Sequence, residues 1–302
     1  MERVLEALPR GGRVAILRLR SLGDCVLTTP ALRILKDFRR DLSIAVVVEE
    51  RFREVFEGNP DIDTVLPPSL AALRRFRPLV CLNFHGGPRS AWLAVLSGAR
   101  WRAGFGHFRQ QFAYNVRIPR AQEILGFERK VHTAEHLASA MFYLGVPQCE
   151  IPRAQLTARS REHQGAVAVI HPFAASAAKA WPAQNFVQVA RRLEASGNQI
   201  VIVGGAADDF SPFRAFRMLQ GAPLAEIKPL LAEASFFVGN DSGPAHMAAA
   251  FGVPSVVLFA ATDPAIWGPW RAPAAVICSP EGIHTIPVSR VVEALARLRV
   301  PA

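Results

Sequence analysis

Three loops carry residue types that could do chemistry. The first is Arg18-Leu-Arg-Ser-Leu-Gly-Asp24, where Gly23 permits a tight turn and one carboxylate stands at the start of a helical stretch. A carboxylate that meets a substrate hydroxyl can accept its proton. Asp24 or Ser21 could equally serve as an ordinary helix cap. The second loop is His171-Pro-Phe-Ala-Ala-Ser-Ala-Ala-Lys179-Ala-Trp-Pro182, with the only lysine between Lys130 and Lys228. Small residues let the backbone approach a ligand, and a single ammonium among them can neutralise a phosphate. A solvated surface lysine explains Lys179 as well. The third is Gly239-Asn-Asp241-Ser242-Gly243-Pro244-Ala-His246, between the apolar run SFFV and a helical stretch. Asp241 or Ser242 is placed to cap and Pro244 suits a first turn, so free N–H groups would face outward as an anion site. His246 either bonds that anion or packs beneath the loop.

Two acidic pairs read differently. Asp61-Ile-Asp63 follows Asn59-Pro60 and opens a strand, so it is read as turn chemistry rather than a metal site. Gly204-Gly205-Ala-Ala-Asp208-Asp209 closes a strand and fits either a ribose contact or a strand-to-helix turn. Neither half of the chain has the G-x-G-x-x-G spacing of a nicotinamide dehydrogenase.

Short β-branched runs alternating with helical stretches must position these loops, the pattern of parallel βα units. Strands are expected at Val14–Leu19, Ser43–Val48, Asp63–Leu66, Leu79–Phe84 and Arg102–Phe105, then Val167–Ile170, Gln199–Val203, Ser235–Val238 and Ser255–Phe259. The first helix is expected from about Cys25 to Arg39. Gly145 to Gly165 has little periodicity and marks a junction, predicting domains at 1–155 and 156–302, with the last helix free to pack back on the first. Ligands of open α/β sheets bind beyond the carboxyl ends of strands, where all three loops lie.

Composition narrows the class. The formal charge is +10, with residues 1–150 at +7 (22 basic, 15 acidic) and residues 151–302 at +3 (13 basic, 10 acidic). A basic first half suits an anionic partner, and nucleic acid has only this charge in its favour. Cys25, Cys81, Cys149 and Cys278 are too scattered for a zinc site or disulfide framework. The N-terminus lacks a signal-peptide apolar core, and Pro244–Ala261 breaks into helix and strand rather than a span. A cytoplasmic protein, at most peripheral to a membrane, is expected.

Taken in order, the segments ILRLRSLGDCVLTTPALRILK, NPDIDTVL, FHGGPRSAWLAVLSGARWRAGF, IHPFAASAAKAWPAQNF, IVIVGGAADD and FVGNDSGPAHMAAAFGVPSVVLFAATDP resemble glycosyltransferase family 9, whose best-known members are the ADP-heptose:lipopolysaccharide heptosyltransferases. The resemblance implies a GT-B fold: two Rossmann-like domains facing each other across a cleft, the first binding acceptor and the second nucleotide sugar. It implies inverting transfer of a heptose from ADP-heptose to a lipopolysaccharide inner-core-like acceptor, without cofactor or metal. It makes Asp24 the general base. Lys179, Ser176, Asp241, Ser242, Gly243 and His246 then hold donor phosphate, Asp208, Gly204 and Gly205 meet the nucleoside, and Arg18, Arg20, Ser21 and Arg89 meet an anionic glycolipid at the inner membrane surface. A sugar-nucleotide-binding protein without turnover, or a GT-B epimerase or hydrolase, are the alternatives. The chain departs from the family pattern at Phe173, where a glycine is usual, at Ala260-Ala261, where Gly-Pro is usual, and after Asp209, where a strand and a helix are expected to be missing.

Overall fold

A computed structural model describes residues 3–159, 165–260 and 262–298. The chain divides into two compact units, Met1–Thr157 and Ala158–Ala302.

In the first unit, strands β1 (Arg13–Leu17), β2 (Ser43–Val47), β3 (Thr64–Leu66), β4 (Val80–Asn83), β5 (Trp101–Phe105) and β6 (Val116–Ile118) form one parallel sheet in the order β3-β2-β1-β4-β5-β6. Helices α1 (Leu22–Phe38), α2 (Leu70–Phe76), α3 (Pro88–Leu96), α4 (Ala121–Leu125) and α5 (Thr133–Tyr143) connect and follow the strands. After their first residues β1 and β2 are apolar and buried, and β4 is buried throughout and apolar up to Asn83, as expected of strands covered by helices on both faces.

Helix α1 starts at Leu22 rather than near Cys25, because Ser21 is its N-cap and Asp24 lies in its first turn. Pro30 sits inside this helix and cannot donate to the carbonyl of Val26. The Thr29 hydroxyl donates to that carbonyl instead, at 2.8 Å, and accepts from the Gln155 N–H at 2.9 Å. The sequence thus supplies its own repair for the interrupted ladder.

The second unit repeats the plan with β7 (Val167–His171), β8 (Gln199–Gly204), β9 (Arg217–Gln220), β10 (Phe236–Asn240), β11 (Ser255–Phe259) and β12 (Ala274–Cys278), ordered β12-β11-β10-β7-β8-β9. Its helices are α6 (Ala183–Ala195), α7 (Leu224–Ala232), α8 (Gly243–Phe251), α9 (Pro264–Trp267) and α10 (Val288–Leu298), the last packing on α6, β11 and β12.

Strand β9 corrects the expectation of a missing strand after Asp209: it pairs with β8 from Val201↔Arg217 to Gly204↔Gln220. Ahead of it stands a single 3₁₀ turn, Ser211–Phe213. β6 and β12 were also unforeseen. All three are outer strands of their sheets, where one side lacks a neighbour; β6 (VRI) and β9 (RMLQ) satisfy the ladder with mixed sequences, whereas β12 (AAVIC) is an apolar run.

Candidate functional site

In each sheet the strand order reverses direction at one place, between β1 and β4 in the first and between β7 and β10 in the second. Ligands of such sheets bind where the chain leaves the two central strands to opposite sides. The Asp24 loop follows β1, the Lys179 loop follows β7, and the Asp241 turn follows β10.

At the first switch point the Asp24 carboxylate is held on both oxygens. The Ser21 hydroxyl donates to Oδ2 at 3.0 Å, the Ser21 N–H approaches the same oxygen at 3.4 Å, and the Arg18 guanidinium lies 3.5 Å from Oδ1. About a quarter of the Asp24 side chain stays exposed. Arg18 is buried and its Nε has no hydrogen-bond partner; burial lowers its pKa, and Asp24 opposes that. Arg18, Arg20, Ser21, Asp24, Arg51, Phe52 and His85 line a cavity of about 620 Å³. Burial and the charges of Arg18 and Arg20 lower the His85 pKa, a hydrogen bond to the Arg20 backbone partly offsetting them. Three guanidinium groups around one carboxylate suit an anionic ligand that presents a hydroxyl. Arg89 stands outside the lining, 3.8 Å from Glu49, whose carboxylate also holds Arg51 at 3.0 Å. The thiol of Cys25, next to Asp24, is buried and pushed up to about 12, so it is no thiolate nucleophile.

At the second switch point, Ser242 caps α8 in extended conformation and Gly243 and Pro244 open the helix. No side chain caps its first turn, and the buried Ser242 hydroxyl has no partner. These groups leave the positive end of the helix open to an anion. His246 is buried in the first turn. Asp241 accepts a hydrogen bond from the Thr262 hydroxyl at 2.5 Å, which fixes the carboxylate. Lys179 ends a 3₁₀ turn, Ala177–Lys179, capped by the exposed Ser176.

The departures from the family pattern have local explanations. Phe173 turns inward: its ring meets Phe210 and Phe213 and crosses Gly204 so closely that an added Cβ there would lie 2.4 Å from it. Gly204 therefore admits this ring. Ala260 packs against the same core, while Ala261 lies outside the described residues. The Asp208 carboxylate accepts from the Gly205 N–H at 2.7 Å, closing its own turn, and Gln220 of β9 donates to the Ala206 and Asp208 carbonyls. The turn bond of the Asp61-Ile-Asp63 segment is the Asp61 N–H donating to Asn59 Oδ1 at 2.9 Å, whereas the Asp63 carboxylate accepts from the Ile44 N–H and from Lys36, a structural tie to β2 and α1.

Two residues that build both sites went unassigned in the sequence: Asn83, the last residue of β4, and Asn240, the last of β10. The Asn240 amide accepts from the Trp181 N–H at 3.1 Å and donates to the Pro172 carbonyl at 2.8 Å, so it ties both ends of the Lys179 loop to the strand that precedes Asp241. Asn83 accepts from the His85 and Gly86 N–H groups at 2.9 and 3.1 Å and donates to the hydroxyls of Ser90 and Tyr114. Both are fully buried. The signal available was a polar residue ending an otherwise apolar strand.

Known proteins of similar sequence and shape agree with this arrangement. Lipopolysaccharide heptosyltransferase 3 of Escherichia coli (strain K12) is 26% identical over 291 residues, 83% of each chain. Lipopolysaccharide heptosyltransferase 1 of Salmonella typhimurium is 26% identical over 311 residues, covering 89% of this chain and 95% of its own. Among solved structures, a family 9 glycosyltransferase from Veillonella parvula superposes with a TM-score of 0.86 at 21% identity, covering 98% and 99% of the two chains. E. coli ADP-heptose lipopolysaccharide heptosyltransferase II superposes at 0.79, also at 21% identity, over 95% and 98%. The family described as Glycosyltransferase family 9 (heptosyltransferase) matches residues 72–290. A match over most of the chain, on a doubled β3-β2-β1-β4-β5-β6 sheet plan, makes this chain a member of glycosyltransferase family 9, a glycosyltransferase of GT-B fold.

Proposed function

We propose that the chain transfers a heptose, with inversion at the anomeric carbon and without a metal, from ADP-heptose to a lipopolysaccharide inner-core-like acceptor at the cytoplasmic face of the inner membrane. The observation that carries this reading is the cavity at the first switch point, where Asp24 is the one carboxylate among Arg18, Arg20 and Arg51. An anionic sugar acceptor satisfies the arginines and brings a hydroxyl to the carboxylate. Asp24 takes the hydroxyl proton, the freed oxygen attacks the anomeric carbon, and the bond from that carbon to the diphosphate oxygen breaks with its electron pair leaving on ADP. General-base assistance of this kind contributes about 10²- to 10⁴-fold in rate.

The first unit thus binds acceptor, with Arg20 and Ser21 beside Arg18, and Arg89 outside the cavity lining on the Glu49 that also holds Arg51. The second binds donor: the open first turn of α8, with Ser242, Gly243 and His246, faces the departing diphosphate, and Lys179 and Ser176 close on it. Positive and N–H groups placed where charge develops favour the transition state over the ground state. Asp241, already occupied by Thr262, suits a hydroxyl of the donor better than its phosphate, since a carboxylate repels phosphate oxygen. Gly205 and Asp208 are assigned to the nucleoside.

A thermal-shift panel of ADP, UDP, GDP and CMP, with and without magnesium, on the wild type and Lys179→Ala tests the donor half. Ligand binding to the folded state alone raises stability by an amount set by concentration over Kd. A magnesium-independent shift with ADP, lost in Lys179→Ala, is expected. A shift with another nucleotide replaces the donor, and no shift with any of them favours a chain that has lost turnover.

A further inference from the structure

The described residues include five large apolar side chains that are exposed, and three of them, Trp92, Leu96 and Phe112, belong to one place. Trp92 and Leu96 are one turn apart on the outer face of α3, opposite the buried Ala91, Leu93 and Ala94. Phe112, in the 3₁₀ turn Gln111–Ala113, leans on Trp92 with ring centroids 5.5 Å apart. Their exposures are 54, 41 and 61%. Arginines border them: Arg89 one turn before Trp92, Arg109 three residues before Phe112, and Arg74, whose Nε donates to the Leu96 carbonyl at 2.9 Å. The sequence around them is one-signed. From Thr64 to Gln122 there are nine arginines and no aspartate, glutamate or lysine.

We propose that this face of the first unit docks on an anionic lipid bilayer, with Trp92, Leu96 and Phe112 seated among the headgroups and Arg74, Arg89 and Arg109 against their phosphates. Aromatic rings collect at the membrane–water boundary, and basic side chains beside them are drawn to anionic headgroups. A second copy of the chain fits less well, because a symmetric contact sets this arginine-rich surface against itself. Nucleic acid also fits less well: the two rings lean on each other instead of standing apart as stacking platforms. Docking has a geometric consequence within the unit. Arg89 shares Glu49 with Arg51, which lines the Asp24 cavity, so the face that meets lipid adjoins the rim of that cavity. The inference does not depend on the donor assigned above.

Sedimentation of the full chain with vesicles of phosphatidylcholine alone and of phosphatidylcholine mixed with phosphatidylglycerol tests it without any transferase assay. Binding to the mixed vesicles only, weakened by salt, is expected. Trp92→Ser with Phe112→Ser, both at exposed positions, should lower that partition about ten-fold or more while the unfolding midpoint stays near wild type. Replacing Arg74, Arg89 and Arg109 by glutamine should lower it by about five-fold per arginine. Equal binding by the variants, or no binding by the wild type, overturns the proposal. So does a concentration-dependent dimer, or binding to a single-stranded oligonucleotide, that Trp92→Ser abolishes in a chain indifferent to vesicles.

Discussion

Asp24 occupies a position that most helices would use only for capping, and here the same carboxylate also meets a buried arginine. Its Oδ2 closes on Ser21 while Arg18 stands at Oδ1, so the carboxylate is oriented before any substrate arrives. Such preorganisation removes the cost of arranging the group during the reaction. Asp24→Asn keeps the hydrogen bond to Ser21 but cannot accept a proton, and turnover should fall about 10²- to 10⁴-fold in steady-state kinetics. Nucleotide-induced thermal shifts should persist, because the groups proposed to hold the donor belong to the second unit. An Asn variant with wild-type turnover would remove Asp24 from the chemistry.

The strand-ending asparagines act at the scale of elements. A strand's last carboxamide, buried and facing the next loop, offers both a donor and an acceptor at a point where the sheet ladder has ended. Asn240 uses both to hold the Lys179 loop, and Trp181 Nε1 anchors the end of that loop to the Ile286 carbonyl at 2.9 Å. In Asn240→Ala the Trp181 N–H and Pro172 carbonyl lose their partner, and a buried group left unsatisfied costs about 1–3 kcal/mol. Denaturant unfolding should show a loss of that size, and nucleotide titration should show weaker binding because Lys179 is less well placed. Unchanged stability and affinity would mean that the loop is held by other contacts. The same device at Asn83 fixes the turn from β4 into α3, next to His85 of the cavity.

Stability against acid is a property of the whole molecule, and its histidines bear on it. His136 is largely buried, stacked on Phe105 at 3.9 Å and 5.4 Å from His107. Burial first, then the charges of His107 and Arg18, push its pKa down to about 4. Burial likewise lowers His85, His107 and His171. Because the folded pKa of His136 is below its unfolded value, the unfolded chain takes up the proton first. Its contribution is complete above about pH 6.5 and is lost as pH falls towards 4, about 3 kcal/mol in all. His136→Phe should flatten the decline of the unfolding midpoint over that range while leaving the midpoint near pH 7.5 little changed. An equally steep decline would place the acid sensitivity in the other histidines and the carboxylates.

How much of this was legible beforehand depends on the range of the interactions. The three loops could be read because turns, caps and helix starts are written in neighbouring residues: Ser21, Gly23 and Asp24, or Ser242, Gly243 and Pro244. The interior strands could be read because burial on both faces demands continuous apolar runs. The outer strands β6 and β9 could not, because half of their pairing is absent and their mixed sequences carry no such demand; β12 went unread although its sequence, AAVIC, is apolar throughout. Nor could the inward turn of Phe173 over Gly204, the burial of Arg18 beside Asp24, or the roles of Asn83 and Asn240. Each depends on which strands become neighbours, and the reversal of strand order brings residue 83 beside the loop after residue 17, and residue 240 beside the loop after residue 171. The sequence by itself determined the alternating architecture and the three loops with their chemical groups. The tertiary structure alone decided which of those groups face a cavity, which are spent on their own turns, and which arginines border an exposed apolar patch, because these depend on contacts between residues distant in the chain.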